Sequence, residues 1–163
     1  MTSIARHWPL VAFFACALAL GVAHAFETFG HLAPCELCLK QREVYWAALT
    51  IAGVGAVSRF TPLKLGRWVC AALGLAFACG AALALYHAGV EWKFWPGPAS
   101  CSGGQGAVNT ADLTRLLQGA AMAPPSCDRA AWVFLGLSMA GWNAVVSMGL
   151  AAASLYSARA TDR

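Results

Sequence analysis

The stretch PCELCLKQR, residues 34–42, holds the residues best placed to do chemistry. Cys35 and Cys38 form a CxxC pair, and Arg42 follows Cys38 by four positions. Such a pair can exchange electrons, supply half of a zinc site or form a static bridge. Pro34 suits the first turn of a helix, which puts the pair at a helix N-terminus. There the helix dipole and unpaired N–H groups favour a thiolate. On that helix Cys38 and Arg42 share a face. A guanidinium one turn below Cys38 favours the thiolate further, or an anionic ligand beside it. The competing reading of Arg42 is an interfacial side chain snorkelling to water among Glu36, Lys40 and Glu43.

The elements that carry these residues are written in the composition. The chain has 163 residues, 60% of them hydrophobic and 11% charged, with a formal charge of +4. Soluble domains carry about 25% charged residues. This chain has too little interior for its apolar surface, and the lipid bilayer is the expected solvent. No basic run with interleaved aromatics points to nucleic acid.

Four apolar runs follow one another, giving spans at about 8–26, 36–58, 68–90 and 131–156; the second is apolar only from near Val44 and reaches spanning length if its helix starts back near Cys35. A spanning helix needs about 20 apolar residues, and backbone groups in lipid must be bonded internally. The expected fold is therefore all-α: one integral membrane domain over 1–163, a four-helix transmembrane bundle. Its Ala and Gly content permits close helix contact. Outer loops fall at about 27–35 and 91–130. In the second loop, NTADLTRLLQGAAM (109–122) reads as a short amphipathic interfacial helix, capped by Asn109 or Thr110 and striped by Leu113, Leu116 and Leu117. The first run has a rival reading as a signal peptide, with Arg6 before it and AHA (residues 23–25) as the cleavage site.

Parity puts the two cysteine-bearing loops on one side of the membrane. Arg6, Arg59, Lys64, Arg67, Arg159 and Arg163 lie on the other side with the termini, in short segments at helix ends. The positive-inside rule then places the termini in the cytoplasm.

This topology sorts the seven cysteines. Cys16, Cys70 and Cys79 lie in apolar runs and read as small buried hydrophobes. Cys35, Cys38, Cys101 and Cys127 all fall on the outer face, where an oxidising compartment lets cysteines pair. Cys101 lies in the glycine-rich SGGQG region and Cys127 directly before the fourth run. A disulfide between them would link the flanks of the interfacial helix. A four-cysteine zinc clasp is the alternative, against which stand the wide spacing of Cys101 and Cys127 and the nearby Arg42. His87, near the outer end of the third run, is either a hydrogen-bonded interfacial residue or one facing the CxxC. Ser138 and Asn143 read as interhelical hydrogen bonders.

PCELCLKQR after a first span resembles the CxxCxxxR of the disulfide bond formation protein B (DsbB) family. LYHAGVEWKFWPGPASC resembles that family's exit from span three into its second redox cysteine pair, and SCDRAAWVFLGLSMAGWNAV its entry into span four. The resemblance brings with it the known DsbA–DsbB–quinone route that keeps the bacterial periplasm oxidising. It implies a thiol:quinone oxidoreductase of the bacterial inner membrane, with periplasmic redox loops. Its partner would be a periplasmic thioredoxin-fold dithiol oxidase (DsbA-like), and its electron acceptor ubiquinone or menaquinone. Cys101–Cys127 would take electrons from the partner and pass them to Cys35–Cys38. Arg42, and with it His87, would lie at the quinone. Gln41 departs from the family, some members of which carry an acid there.

Two other readings remain. A vitamin K epoxide reductase-like enzyme also uses a membrane bundle and CxxC, but its active pair follows the long loop, whereas here it precedes it. A structural membrane module would hold static disulfides or the zinc clasp.

Overall fold

The computed structural model describes residues 3–58, 60, 65–98 and 126–161. Cys101 and the expected interfacial helix at 109–122 lie outside the described residues. Helices α1 (Ser3–Thr28), α2 (Glu36–Ser58) and α3 (Gly66–Glu91) coincide closely with the first three apolar runs. A fourth helix, α4, spans Met139–Ala160. The helices pack as a ring, α1 and α3 each lying against both α2 and α4, with α3 on α4 the most extensive pairing. Among the described residues, α1 from His7 and all of α3 are long and apolar enough to cross a membrane. The N-terminal end of α2 carries Glu36, Lys40, Arg42 and Glu43 within its first two turns.

Small residues line the helix contacts. Ala12, Ala48, Ala52, Ala84, Ala144 and Ser147 are buried between helices, while Phe14, Leu18, Val57, Leu75 and Val145 face outward. Trp8, Tyr45, Leu73 and Phe77 fill the core between them. An exterior of large apolar side chains suits lipid, and small residues at the contacts let the backbones approach closely. The approach is tight at two glycines. A Cβ on Gly55 would meet Val69 Cγ1 at 2.5 Å, and one on Gly74 would meet Leu155 Cδ2 at 2.6 Å. Trp8 Nε1 donates to Ser154 Oγ at 2.9 Å and ties α1 to α4.

The fourth run departs from expectation. Its residues before Met139 are not helical. Val133–Phe134 (β1) and Leu137–Ser138 (β2) pair antiparallel, Val133 opposite Ser138 and Phe134 opposite Leu137. The turn residues Leu135 and Gly136 have φ of 51° and 80°. Two consecutive residues with positive φ make the tight hairpin turn whose twist matches its strands. Ser138 then caps α4 by accepting from Gly141 N–H at 3.1 Å. A run that is apolar throughout does not distinguish strand from helix, so the expected start at 131 moves to Met139. Trp132 packs on Phe26 at the end of α1, their ring centroids 5.4 Å apart.

The interior cysteines also divide. Cys16 and Cys70 are buried as expected, but Cys79 is exposed on the outer face of α3.

Candidate functional site

The site lies where α2 begins. Cys35 O accepts the first helical bond, from Leu39 N–H at 3.1 Å, so Cys35 is the N-cap residue. Its sulfur also accepts from Cys38 N–H at 3.3 Å, as a capping side chain does. Pro34 therefore precedes the cap and does not enter the first turn. The result is what the sequence suggested: both sulfurs sit at the positive end of a helix.

Cys35 and Cys38 are free, with their sulfurs 2.8 Å apart. The hydrogen bond to Cys38 and its burial hold the Cys35 thiol well above the usual range. Cys35 is buried, while Cys38 is half-buried and reachable from outside.

Cys127 is disulfide-bonded and completely enclosed. It packs with Cys35 and Leu37 in one small apolar cluster, against which Cys38 and Leu83 also lie. The fold thus packs a disulfide-bonded cysteine from a distant part of the sequence against the CxxC pair. The end of α3 anchors this arrangement. Lys93, at φ 63°, donates its N–H to Val90 O, and Phe94 N–H bonds Gly89 O at 2.9 Å. These two bonds form the Schellman stop that turns the chain out of the helix. Lys93 Nζ then pairs with Asp128 at 2.5 Å, next to Cys127. Hydrogen bonds from Lys93 and Ser126 hold the Asp128 carboxyl below the usual carboxylate range.

His87 does face the pair. It is buried on α3, with Nε2 at 3.6 Å from Cys35 Sγ and 3.8 Å from Glu91 Oε1. The ring also hydrogen-bonds the Cys127 backbone. Glu91 in turn accepts from Ser138 Oγ, so the α4 cap and the His87 pocket share a carboxylate.

Arg42 is committed to α1. Its Nη1 contacts Glu27 Oε2 at 2.5 Å and His24 Nδ1 at 3.3 Å, and its Nη2 donates to Ala23 O at 3.1 Å. Its side chain is 15% exposed, so the snorkelling reading does not describe it. The cation is close enough to act electrostatically on Cys38.

Cys35, Cys38 and His87 offer three ligand atoms within 4.8 Å of one another. Tetrahedral zinc with Zn–S bonds of about 2.3 Å spaces two sulfurs roughly 3.8 Å apart. The 2.8 Å separation found here is about 1 Å shorter than that, so the pair as it stands is not spaced as two thiolates on one zinc ion.

Several partners escaped the sequence reading. Gln41, Tyr45, Glu91 and Glu27 each bond within the site, and Asn143 does more than join helices. Their signal was spacing. Gln41 and Tyr45 lie at i+3 and i+7 from Cys38, Glu91 at i+4 from His87, and Asn143 and Ser147 repeat that interval in α4. Polar residues one turn apart on apolar helices share a face.

The chain matches the family described as Disulfide bond formation protein DsbB over residues 5–157. The disulfide bond formation protein B of Nitrosospira multiformis is 33% identical over 153 residues, covering 90% of this chain and 87% of the relative. That of Methylococcus capsulatus is 32% identical over 157 residues, covering 93% and 92%. That of Dechloromonas aromatica is 30% identical over 154 residues, covering 90% and 88%.

Proposed function

The chain belongs to the DsbB family, membrane proteins of disulfide bond formation, and from that premise we propose that it is a quinone reductase that reoxidises a DsbA-like dithiol oxidase. The observation that carries this reading is the packing of disulfide-bonded Cys127 on the Cys35–Cys38 pair. In it, four helices cross the bacterial inner membrane, the termini are cytoplasmic and the cysteine loops periplasmic.

Cys127 is paired with Cys101 in this reading. A partner thiolate attacks Cys101, the Cys101–Cys127 bond breaks, and the electron pair leaves on Cys127. With Cys35–Cys38 oxidised, the Cys127 thiolate attacks Cys35. The new bond forms between Cys127 and Cys35, and the pair leaves on Cys38. The second thiol of the partner then resolves its bond to Cys101 and departs as a disulfide. Released Cys101 attacks Cys127, which restores their disulfide and frees Cys35. The partner dithiol has lost two electrons and two protons to Cys35 and Cys38, now a dithiol; ubiquinone or menaquinone would accept them as the Cys35–Cys38 bond re-forms.

This chain's residues fit that acceptor at Cys38. The half-buried sulfur lies at the helix N-terminus, and the Arg42 cation is held one turn away. Arg42 would bind a quinone oxygen and stabilise negative charge on it, sharing its fork with Glu27. His87 stands by Cys35, and its part in holding quinone is correspondingly less direct.

Purified protein given a reduced thioredoxin-fold dithiol and a soluble quinone analogue should consume the quinone. A failure to consume it with any such donor would overturn the proposal. Cys127→Ser, whose Cys101 thiol can attack the disulfide of the oxidised partner, should trap a mixed disulfide with it through Cys101. An adduct mapping to Cys35 would reverse the assigned order.

A further inference from the structure

Gln41 is buried, and both ends of its amide are engaged. Its Nε2 lies 3.3 Å from Leu37 O and 2.8 Å from His87 Nδ1. Its Oε1 accepts from Asn143 Nδ2 at 2.5 Å. The direction of these bonds follows from chemistry. A backbone carbonyl only accepts, so the amide atom facing Leu37 O is the nitrogen. The oxygen is left for Asn143, which must offer its own nitrogen. The Asn143 oxygen then faces Tyr45 OH at 2.7 Å and Ser147 Oγ at 3.3 Å, both able to donate. Tyr45 OH and Ser147 Oγ also lie 3.0 Å apart, so their two hydroxyl protons serve the contacts among themselves and the Asn143 oxygen.

The chain of hydrogen bonds ends on the imidazole. Gln41 nitrogen donates to Nδ1, so Nδ1 carries no proton. A neutral ring then carries its proton on Nε2, which faces Cys35 Sγ at 3.6 Å and Glu91 Oε1 at 3.8 Å, with the Cys127 backbone as a further partner of the ring.

We propose that Gln41 and Asn143 are positioning residues that hold His87 in its Nε2–H tautomer, presenting its one N–H to Cys35 where the Cys127 loop docks. The role assigned to that N–H rests on reading Cys35 as the exchanging sulfur. When the Cys127 thiolate attacks Cys35, negative charge spreads over three sulfurs. A donor at the central sulfur stabilises it. The opposite tautomer would turn a lone pair toward the same sulfur and repel the incoming thiolate. The ionisable groups facing the ring are Cys35 and Cys38 at the start of α2 and Glu91 on α3 itself. From α4 the described partners of this network are neutral, Ser138 on Glu91 and Asn143 on Gln41.

The test is ¹⁵N NMR of the full chain, labelled at histidine and held in lipid nanodiscs in the reduced state. The His87 signals are assigned by their loss in His87→Asn. The expected spectrum has an unprotonated Nδ1 and a protonated Nε2. Asn143→Leu and Gln41→Leu should each give a mixture of tautomers. In a Cys101→Ser background, Asn143→Leu should also slow attack of Cys127 on oxidised Cys35–Cys38 about fivefold, the loss of one net hydrogen bond. Acid quenching and peptide mapping read that rate. A wild-type ring protonated on Nδ1 would overturn the proposal, and that spectrum decides even where a variant fails to fold. An unchanged tautomer in both folded variants would overturn it equally. Neither readout needs quinone or partner. A chain with the expected tautomer that reduces no quinone therefore refutes the proposed function and leaves the tautomer assignment standing.

Discussion

Cys16 and Cys70 are buried in the interior of the helix bundle, and Cys35 and Cys38 lie at the start of α2, yet all four are free thiols in one small protein. The inner two are packed among Trp8, Ala12, Leu73 and Phe77, and among the described residues no hydrogen bond reaches either sulfur. The outer two lie on a helix N-terminus, bonded to each other, to a backbone N–H and to an imidazole. Burial does not separate the regions, since Cys35 is 5% exposed and Cys70 1%. Donors do. A thiolate needs positive charge or N–H groups around it, and only the outer end supplies them.

The sharpest way to break this contrast is to exchange the outcomes by mutation. Cys38→Ser should lower quinone reduction at least about a thousandfold, as loss of a nucleophile does. Cys16→Ala and Cys70→Ala should leave the rate within about twofold and cost about 1 kcal/mol of stability each, the scale of a small core deletion. An inactive but folded Cys70→Ala would end the distinction.

Arg42 tests whether the outer cation serves chemistry or only architecture. Arg42→Met should reduce turnover by about tenfold to a hundredfold, the worth of a charge-assisted hydrogen bond. Glu27→Gln removes the same α1–α2 ion pair and leaves the cation in place. If both variants lower thermal stability alike and neither changes the KM for quinone, Arg42 is a strap between helices.

Alkylation of the reduced protein separates the thiols by pH. Cys35 is raised, so its neutral thiol persists above the ordinary thiol range, and its labelling should stay slow until pH exceeds that range. Cys38 should label first. Cys16 and Cys70 should not label at any pH at which the fold persists. Early labelling of Cys35 would reverse the assigned asymmetry.

The smallest effect belongs to the loop tether. The Asp128 carboxyl is depressed in the folded state. Its contribution is therefore present above the usual carboxylate pKa and lost as pH falls through the depressed value. Asp128→Asn should slow exchange between Cys127 and Cys35 by about twofold near neutral pH, as exposed ion pairs are weak. Wild type should show no such loss until the pH is acidic, which stopped-flow exchange measurements would check.

Much of this site was legible beforehand. CxxC before a long apolar run placed Cys35 and Cys38 at a helix N-terminus, and i, i+4 spacing placed Arg42 on the face of Cys38. Helix α2 also begins where the run predicted. The start of α4 was not legible, because Val133 and Phe134 are apolar in either conformation and Gly136 chooses the turn. The partner of Arg42 was not legible either. Glu27 lies 15 residues away in sequence, and nothing local marks it as the carboxylate that α1 delivers.

The sequence by itself determined that this chain builds long helices for an apolar solvent and carries an oxidisable pair at the mouth of one. Those properties follow from composition and local spacing, which act within a few turns. Tertiary structure alone decided that Cys127 rests on Cys35, that Arg42 reaches back to α1, and that Asn143 and Gln41 orient His87. Each of these joins residues on different helices or on a helix and a distant loop. Their meeting depends on which small residues let the helices approach, a property of the packed bundle and not of any one segment.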